Sequence, residues 1–184
     1  DDDTIRTRMV AGIDDITRTL NDILTLARIG RPDGNLEPVN IGALVETIAD
    51  EFRDLGENVE LDDPPRVVAP VRLTWIRRAV RNLIGNALRY GYAARISVTH
   101  DADFCVIHIE DDGPGIPDEQ IEAMFEPFAR LDASRNLATG GAGIGLTLVR
   151  AIADQHHGSV VLQNRRNPSG AIIGLVATLR LPLS

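Results

Sequence analysis

Lysine is missing from this chain of 184 residues, and all 19 of its basic residues are arginines. A P-loop nucleotide site requires a lysine on the phosphates, and a Ser/Thr/Tyr protein kinase requires one on a strand. Enzymes that use pyridoxal phosphate require a lysine for the Schiff base. The composition therefore excludes these three classes.

Cysteine and long apolar runs are scarce as well. The single cysteine, Cys105, rules out an internal disulfide, fits a reducing compartment, and lies in an apolar run that predicts a buried strand. No apolar run approaches the roughly 18 residues that span a bilayer. The net charge of -8 argues against a nucleic-acid or anionic-membrane surface. Because the chain begins with Asp1 rather than methionine and shows no signal peptide, we expect a fragment of a longer protein.

An amphipathic helix is predicted over residues 5–29, because apolar residues recur alternately four and three positions apart. These seam residues are Met9, Ile13, Ile16, Leu20, Ile23 and Ala27. The helix could pack on its own domain or form half of a helical hairpin that pairs with a partner chain. The regular seam and the lack of a matching helix nearby favour the hairpin. Gly30, Pro32, Asp33 and Gly34 then predict a linker.

Mixed helices and strands follow this linker. Hydrophobic periods near 3.6 and 2 predict helices and strands respectively, with turn residues between them. The predicted order is helix 41–54, strands 59–61 and 67–69, helix 72–90, strands 95–100 and 104–111, short helix 118–125, helix 145–157 ending at Gly158, and strands 159–164 and 171–181.

A glycine-rich segment leads into the last helix and has the character of a phosphate site. Gly141, Gly143 and Gly145 allow backbone N–H groups to approach an anion, and the helix N-terminus adds a positive dipole end. A dinucleotide site is disfavoured, because the spacing is GxGxG rather than GxGxxG. A polar loop, 134–139, also stands where that site requires a strand.

Acidic residues followed by glycines end one predicted strand, over Glu110 to Ile116. A buried carboxylate there can accept a hydrogen bond from an amino group such as the exocyclic amine of adenine. The alternative is a solvated acidic turn. The alternating ligands of an EF-hand loop are absent.

The helix predicted over 72–90 places Asn82, Asn86 and Arg89 on one face, because they are four and three residues apart. An asparagine oxygen can ligate Mg²⁺, and an arginine can bind a phosphate bidentately. The alternative is the ordinary polar edge of an amphipathic helix.

Four motifs in this order, NLIGNALRYG, EDDGPGIP, FEPFAR and TGGAGIGL, resemble the N, G1, F and G2 boxes of the ATP-binding catalytic domain of sensor histidine kinases. The resemblance covers about Glu37 to Ser184 and is greatest to the osmosensor (EnvZ-like) group. It implies the Bergerat fold, an α/β two-layer sandwich whose mixed sheet is covered on one face by helices, here preceded by a coiled-coil-type helix. That helix resembles the second helix of the dimerisation hairpin. We therefore divide the chain into 1–33, a fragment of the histidine-phosphotransfer hairpin with its linker, and 34–184, the ATP-binding catalytic domain.

The resemblance implies ATP and Mg²⁺ as cofactors and gives individual residues roles. Asn86 would coordinate Mg²⁺, Asn82 and Arg89 would face the phosphates, and Arg130 would reach the γ-phosphate. Asp111 would accept a hydrogen bond from the adenine amine. The other implied nucleotide-binding residues are Tyr90, Gly113, Gly115, Ile116, Phe128, Gly141, Gly143, Gly145 and Leu146. Phe125 and Phe128 would anchor the base of a short lid, residues 131–139.

Two departures from the family pattern bear on the chemistry. Ala142 stands where many members have Thr or Ser, so one hydroxyl contact is missing. The phosphoacceptor histidine, followed in the family by an acidic residue and then Thr-Pro, has no counterpart. The histidines present each receive a structural role: His100, His108, His156 and His157.

Asn82 distinguishes between two chemistries of the superfamily. Related ATPases carry a glutamate at this position as the base for hydrolysis, and an amide cannot act as a base. Neutral imidazole is already nucleophilic. Asn82 therefore favours phosphoryl transfer to a histidine over hydrolysis.

The expected function is that of the catalytic fragment of a histidine protein kinase. It would transfer the γ-phosphoryl of Mg-ATP to a histidine on the phosphoacceptor helix of the same or the partner protomer, for relay to the receiver domain of a response regulator. We expect a homodimer at full length, a cytoplasmic domain of an inner-membrane parent, and no nucleic-acid partner. The alternatives are a stand-alone Bergerat-fold ATPase and a degenerate kinase that acts as a docking module.

Overall fold

The computed structural model describes residues 2–29, 35–130 and 142–184. Within these ranges the elements follow one another as α1 (Asp2–Ile29), β1 (Glu37–Asn40), α2 (Ile41–Asp54), β2 (Val59–Leu61), β3 (Val68–Val71), α3 (Leu73–Gly91), β4 (Ala94–His100), β5 (Phe104–Asp111), two short 3-10 helices (Asp118–Gln120 and Glu122–Phe125), α4 (Gly145–Gln155), β6 (Ser159–Arg166) and β7 (Ile172–Pro182).

A five-stranded mixed sheet, in the order β2-β4-β5-β7-β6, forms one layer of the fold. Only the β2–β4 pair is parallel, and the other three pairs are antiparallel. A separate antiparallel pair joins β1 to β3. Helices α2, α3 and α4 form the second layer and pack on one face of the sheet. The predicted two-layer sandwich is confirmed.

The core lies between these two layers. Strand β5 alternates, with Cys105, Ile107, Ile109 and Asp111 buried and the residues between them half-buried. The buried face meets apolar side chains of α3 and α4 that are less than 2% exposed: Ile76, Leu83, Ile84, Leu148 and Ile152. Burial raises the pKa of the Cys105 thiol to about 12, so this cysteine stays an uncharged core residue. The packing fixes the end of β5 against α3, where the site forms.

Most predicted elements are confirmed, with their ends shifted by at most three residues, and three further differences stand out. Strand β1 was not predicted. The predicted helix over 118–125 is instead a pair of 3-10 helices. Gly158 does not supply the left-handed residue after α4, because His157 adopts a φ of 54° there. Gly158 is required for another reason: a Cβ at this position would lie 2.1 Å from the carbonyl oxygen of Arg180. The linker predicted over 30–34 lies outside the described residues.

Helix α1 contacts the sandwich on one side and exposes its seam on the other. Arg78 of α3 donates to the carbonyl oxygen of Asn21 at 3.0 Å and to the Thr25 hydroxyl, and it lies 3.6 Å from a carboxylate oxygen of Asp22. The seam residues Met9, Ile13, Ile16, Leu20 and Ile23 are 43–63% exposed. The seam is therefore not the face that packs on this domain. Among the described helices, none is both long and apolar enough to cross a membrane.

His156, at the end of α4, is a buried structural histidine. Its Nε2 accepts from the backbone N–H of Arg72 at 3.0 Å, which makes Nδ1 the protonated nitrogen that donates to the Ile152 carbonyl at 2.7 Å. Burial lowers the pKa of His156 below its ordinary value. The ring thus joins α4 to the start of α3 in its neutral form.

The free energy of unfolding is expected to decrease as the pH falls, and His156 contributes to this decrease. Because its pKa is lowered on folding, the unfolded chain binds the proton more readily, so the stabilisation is complete above the ordinary pKa of about 6.5 and is lost as pH falls below it. His156→Gln should cost roughly 1–2 kcal/mol near neutral pH through unpaired backbone groups. The substitution should also reduce the decline in the free energy of unfolding between about pH 7.5 and about pH 5.5, as measured by urea unfolding. The exposed-histidine variant His100→Gln should keep the parent's slope. Equal slopes for the parent and His156→Gln would contradict this.

Candidate functional site

Helix α3 carries the predicted phosphate-side residues, and one of them, Asn82, lies against the N-terminus of α4. Asn82, Asn86 and Arg89 are half-buried, and Tyr90 is exposed at the helix end. The amide of Asn82 donates to the Arg78 carbonyl at 3.1 Å, while its oxygen faces α4. A Cβ on Gly145 would lie 2.7 Å from that oxygen, so the glycine is what permits the approach. Asn82 and the first turn of α4 therefore share one side of the site.

The loop of residues 111–116 follows directly from β5 and is called the base-reading loop after the role predicted for Asp111. The Asp111 side chain is 6% exposed and accepts from the Gly113 N–H at 2.7 Å. Burial raises the pKa of Asp111, opposed by backbone N–H donors from Gly113 and Leu175. A Cβ on Gly113 would lie 2.7 Å from the Tyr90 carbonyl oxygen. The end of α3 and the buried carboxylate are thus held together.

The far end of this loop is held by a residue that no sequence motif indicated. Asn164, on β6, accepts from the Ile116 N–H at 2.9 Å and donates to the Ile116 carbonyl at 2.6 Å and to Asp118 at 2.8 Å. Gly115 has a φ of 69°, and a Cβ there would lie 2.4 Å from the Asn164 oxygen. The Asn164 side chain therefore pairs with the backbone N–H and carbonyl of Ile116, as the backbone of a neighbouring strand would.

Two arginines, also missed from the sequence, surround the acidic start of the loop. Arg95 binds Asp112 bidentately, with both distances 2.7 Å. Arg165 contacts Asp112 at 2.8 Å and Glu110 at 3.1 Å. These guanidinium groups hold the pKa of Asp112 well below its usual range. Of these three consecutive acidic residues, only Asp111 forms no side-chain ion pair within the described part of the chain.

The glycine-rich segment is joined to the third motif through the backbone. The N–H of Phe128 donates to the Gly143 carbonyl at 3.0 Å, and Gly143 has a φ of 72°. The Phe128 ring itself is 68% exposed. Phe125 is buried, with the Arg150 guanidinium 3.7 Å from its ring centroid. The Phe125 ring thus packs the third motif against Arg150 of α4, and the Phe128 N–H joins this motif to the glycine-rich segment.

The remaining predicted site residues are placed only in part. Leu146 is half-buried in the first turn of α4, and Arg130 is exposed. Gly141 and the lid predicted over 131–139 lie outside the described residues. The described residues contain no cluster of three or more His, Cys, Asp or Glu side chains that could hold a metal. An amide ligand such as Asn86, with phosphate oxygens and water supplying the rest, fits Mg²⁺ and this donor set.

The buried carboxylate at the end of β5 and the glycine-lined N-terminus of α4 fit an ATP-binding domain. The profile of the family described as histidine kinase-, DNA gyrase B-, and HSP90-like ATPase matches residues 72–184, and the chain belongs to this family. Within it, the chain is an ATP-binding catalytic domain of the sensor histidine kinase type.

Known sensor kinases resemble this chain closely. It is 38% identical over 148 residues to the sensor histidine kinase GtrS of Pseudomonas aeruginosa, covering 80% of this chain and 29% of that protein. It is 30% identical over 174 residues to CpxA of Escherichia coli, covering 89% of this chain and 36% of that protein. The chain thus spans about a third of the length of these relatives. The Acinetobacter baumannii histidine kinase AdeS shares the fold, with a TM-score of 0.76, 23% identity, and coverage of 97% of this chain and 83% of that one.

Proposed function

We propose that this chain binds Mg-ATP and transfers the γ-phosphoryl group to a histidine on a helical hairpin of a longer sensor kinase. The imidazole nitrogen forms a bond to the γ-phosphorus while the bond to the bridging oxygen breaks, and ADP leaves. The phosphoryl group then passes to the receiver domain of a response regulator. The whole protein would work in the inner membrane, with this domain in the cytoplasm. Membership of the osmosensor group stays a prediction.

The position of Asn82 carries this proposal. Its side chain lies against Gly145 at the N-terminus of α4, the end of a helix that favours phosphate. An amide can orient a phosphate but cannot take a proton from water. A site with an amide here suits an incoming nucleophile that needs no base, such as neutral imidazole.

The other residues would bind and orient the nucleotide. Asp111 would accept a hydrogen bond from the adenine amine, and Asn86 would provide the protein ligand to Mg²⁺. That ion, when bound, supplies charge neutralisation at the transferring phosphoryl group. Arg89 and Arg130 would bind phosphate oxygens, which leaves positioning and electrostatics as the sources of catalysis.

Helix α1 is proposed to be part of the dimerisation hairpin, in residues 1–33, ahead of a catalytic domain over 34–184. The exposed seam supports this division, because an apolar stripe with period 3.5 is suited to a second helix. The hairpin would supply the phosphoacceptor helix and bring two protomers together as a homodimer.

Replacing Asn86 by alanine is expected to weaken Mg-ATP binding roughly tenfold, because one ligand to the ion is lost. Binding of ATP in the presence of a chelator should change less than twofold, since the ion is then absent. Titration calorimetry on the 184-residue chain measures both. The exposed-asparagine variant Asn58→Ala should bind as the parent does. Equal Mg-ATP affinities for Asn86→Ala and the parent would remove the metal assignment.

The same chain distinguishes transfer from hydrolysis. The parent should bind Mg-ATP yet release phosphate far more slowly than about one per second, the lower end of ordinary turnover. Steady release at or above that rate would favour a stand-alone ATPase. No measurable nucleotide affinity would favour a docking module.

A further inference from the structure

We infer that Arg165 is a positioning residue that sets the selectivity for adenine by holding the base-reading loop. The inference rests on the proposed function, in which Asp111 accepts the adenine amine. Within residues 35–130 and 142–184, the hydrogen bonds and ion pairs of Arg165 go to Glu110, the Asp111 backbone and Asp112, so it would act through the backbone and neighbours of Asp111.

The contacts of Arg165 converge on three consecutive residues. Its Nη1 donates to the Asp111 carbonyl oxygen at 2.9 Å and to the Asp112 carboxylate at 2.8 Å. Its Nε lies 3.1 Å from the Glu110 carboxylate. One rigid, planar guanidinium therefore holds the backbone carbonyl of Asp111 and the side chains of the residues on either side of it.

The sheet is built to let this side chain reach the loop. Strand β7 separates β6, which carries Arg165, from β5, which ends at Asp111. The residue of β7 that pairs with Arg165 is Gly174. A Cβ on Gly174 would lie 2.9 Å from Nη1 of Arg165 and 2.0 Å from the Asp111 carbonyl oxygen. The arginine crosses the intervening strand where that strand has no side chain, so the contact differs from an incidental surface ion pair.

Charge gives a second reason for the arrangement. Glu110, Asp111 and Asp112 would place three negative charges beside a nucleotide that is itself an anion. Arg165 and Arg95 neutralise the outer two and leave the Asp111 carboxylate for the ligand. Because GTP carries a carbonyl where ATP carries the amine, a correctly held carboxylate attracts one base and repels the other.

The test compares Arg165→Gln, Arg165→Lys and Arg180→Gln in the 184-residue chain, with Mg-ATP affinity measured by calorimetry and Mg-GTP affinity by competition. Arg180 lies on the neighbouring strand β7 with its guanidinium over the Phe104 ring, so it controls for the loss of an arginine. We expect Arg165→Gln to weaken Mg-ATP roughly tenfold and Mg-GTP less than twofold. Arg165→Lys should weaken Mg-ATP binding by an intermediate amount, because lysine keeps the positive charge but lacks the planar guanidinium that donates several hydrogen bonds. Arg180→Gln should retain the parent's ATP-to-GTP ratio.

Two results would overturn the inference: an unchanged ATP affinity in Arg165→Gln, or equal losses for ATP and GTP, which indicate general damage to the fold. Asp111→Ala measured alongside separates the inference from the proposed function. If Asp111→Ala weakens ATP and Arg165→Gln does not, only the role of Arg165 is wrong. If neither variant weakens ATP, the adenine site itself is misplaced.

Discussion

Asp111→Ala is expected to weaken Mg-ATP binding by about 100-fold, the largest loss from any single side chain of the site. A hydrogen bond to a buried ionised group contributes roughly 1.5–3 kcal/mol, and Asp111 is 6% exposed at the end of β5. The substitution also removes the acceptor for the Gly113 N–H, so the loop loses an internal bond with the ligand contact. Calorimetric titration near neutral pH measures the loss directly.

A matched control comes from the turn between β4 and β5. Asp103 is exposed and lies at the opposite end of β5 from the base-reading loop. Asp103→Ala therefore removes one negative charge from the same strand pair and should leave affinity within twofold. A decrease of less than fivefold for Asp111→Ala would show that the carboxylate does not face the base.

Elements with strong local patterns could be predicted with their bounds. Helix α2 begins after Asn40, whose side chain accepts from the Ala43 N–H, and ends before Gly56. Strand β5 alternates along its whole length. Strand β1 has no such pattern: it is short, contains Pro38, and forms because β3 pairs with it residue by residue. Four residues of local sequence do not specify that they will pair with a strand about 30 residues away.

The segment after Pro117 shows a second limit of local signals. A proline followed by acidic residues predicts a helix start. The chain instead forms two 3-10 helices, with Phe125 buried beneath the Arg150 guanidinium. Holding that ring in the corner between the segment and α4 competes with continuing an α-helix. Tertiary packing decides such short segments.

The site divides in the same way. Asn82, Asp111 and Gly145 lie in short motifs, and those motifs indicated the residues from which the proposed site is built. Asn164 and Arg165 lie about 50 residues from the loop that they hold, in a strand without a motif. Their roles depend on the register that pairs Arg165 with Gly174. The only available signal was the acidic triplet, which predicts basic neighbours without saying which arginines they are.

Gly91→Ala is expected to destabilise the fold by about 3 kcal/mol and to weaken nucleotide binding as well. Gly91 ends α3, and a Cβ there would lie 2.4 Å from the Cβ of Asp111 and 2.9 Å from the Asp112 backbone nitrogen. Both neighbours belong to the end of a central strand, so neither can move without shifting the base-reading loop. Urea unfolding measures the first effect and calorimetry the second.

The same helix provides a control of opposite sign. Gly85 lies in the interior of α3, and a Cβ there would meet no neighbouring side chain of the described residues within 4 Å. Gly85→Ala should therefore stabilise the chain by roughly 0.5–1 kcal/mol, because alanine loses less backbone entropy than glycine in a helix. Helix propensity alone predicts that both substitutions stabilise α3. If Gly91→Ala unfolded at a higher urea concentration than the parent, the close approach of α3 to Asp111 would be absent, and with it the arrangement that is proposed to hold the carboxylate beside the nucleotide.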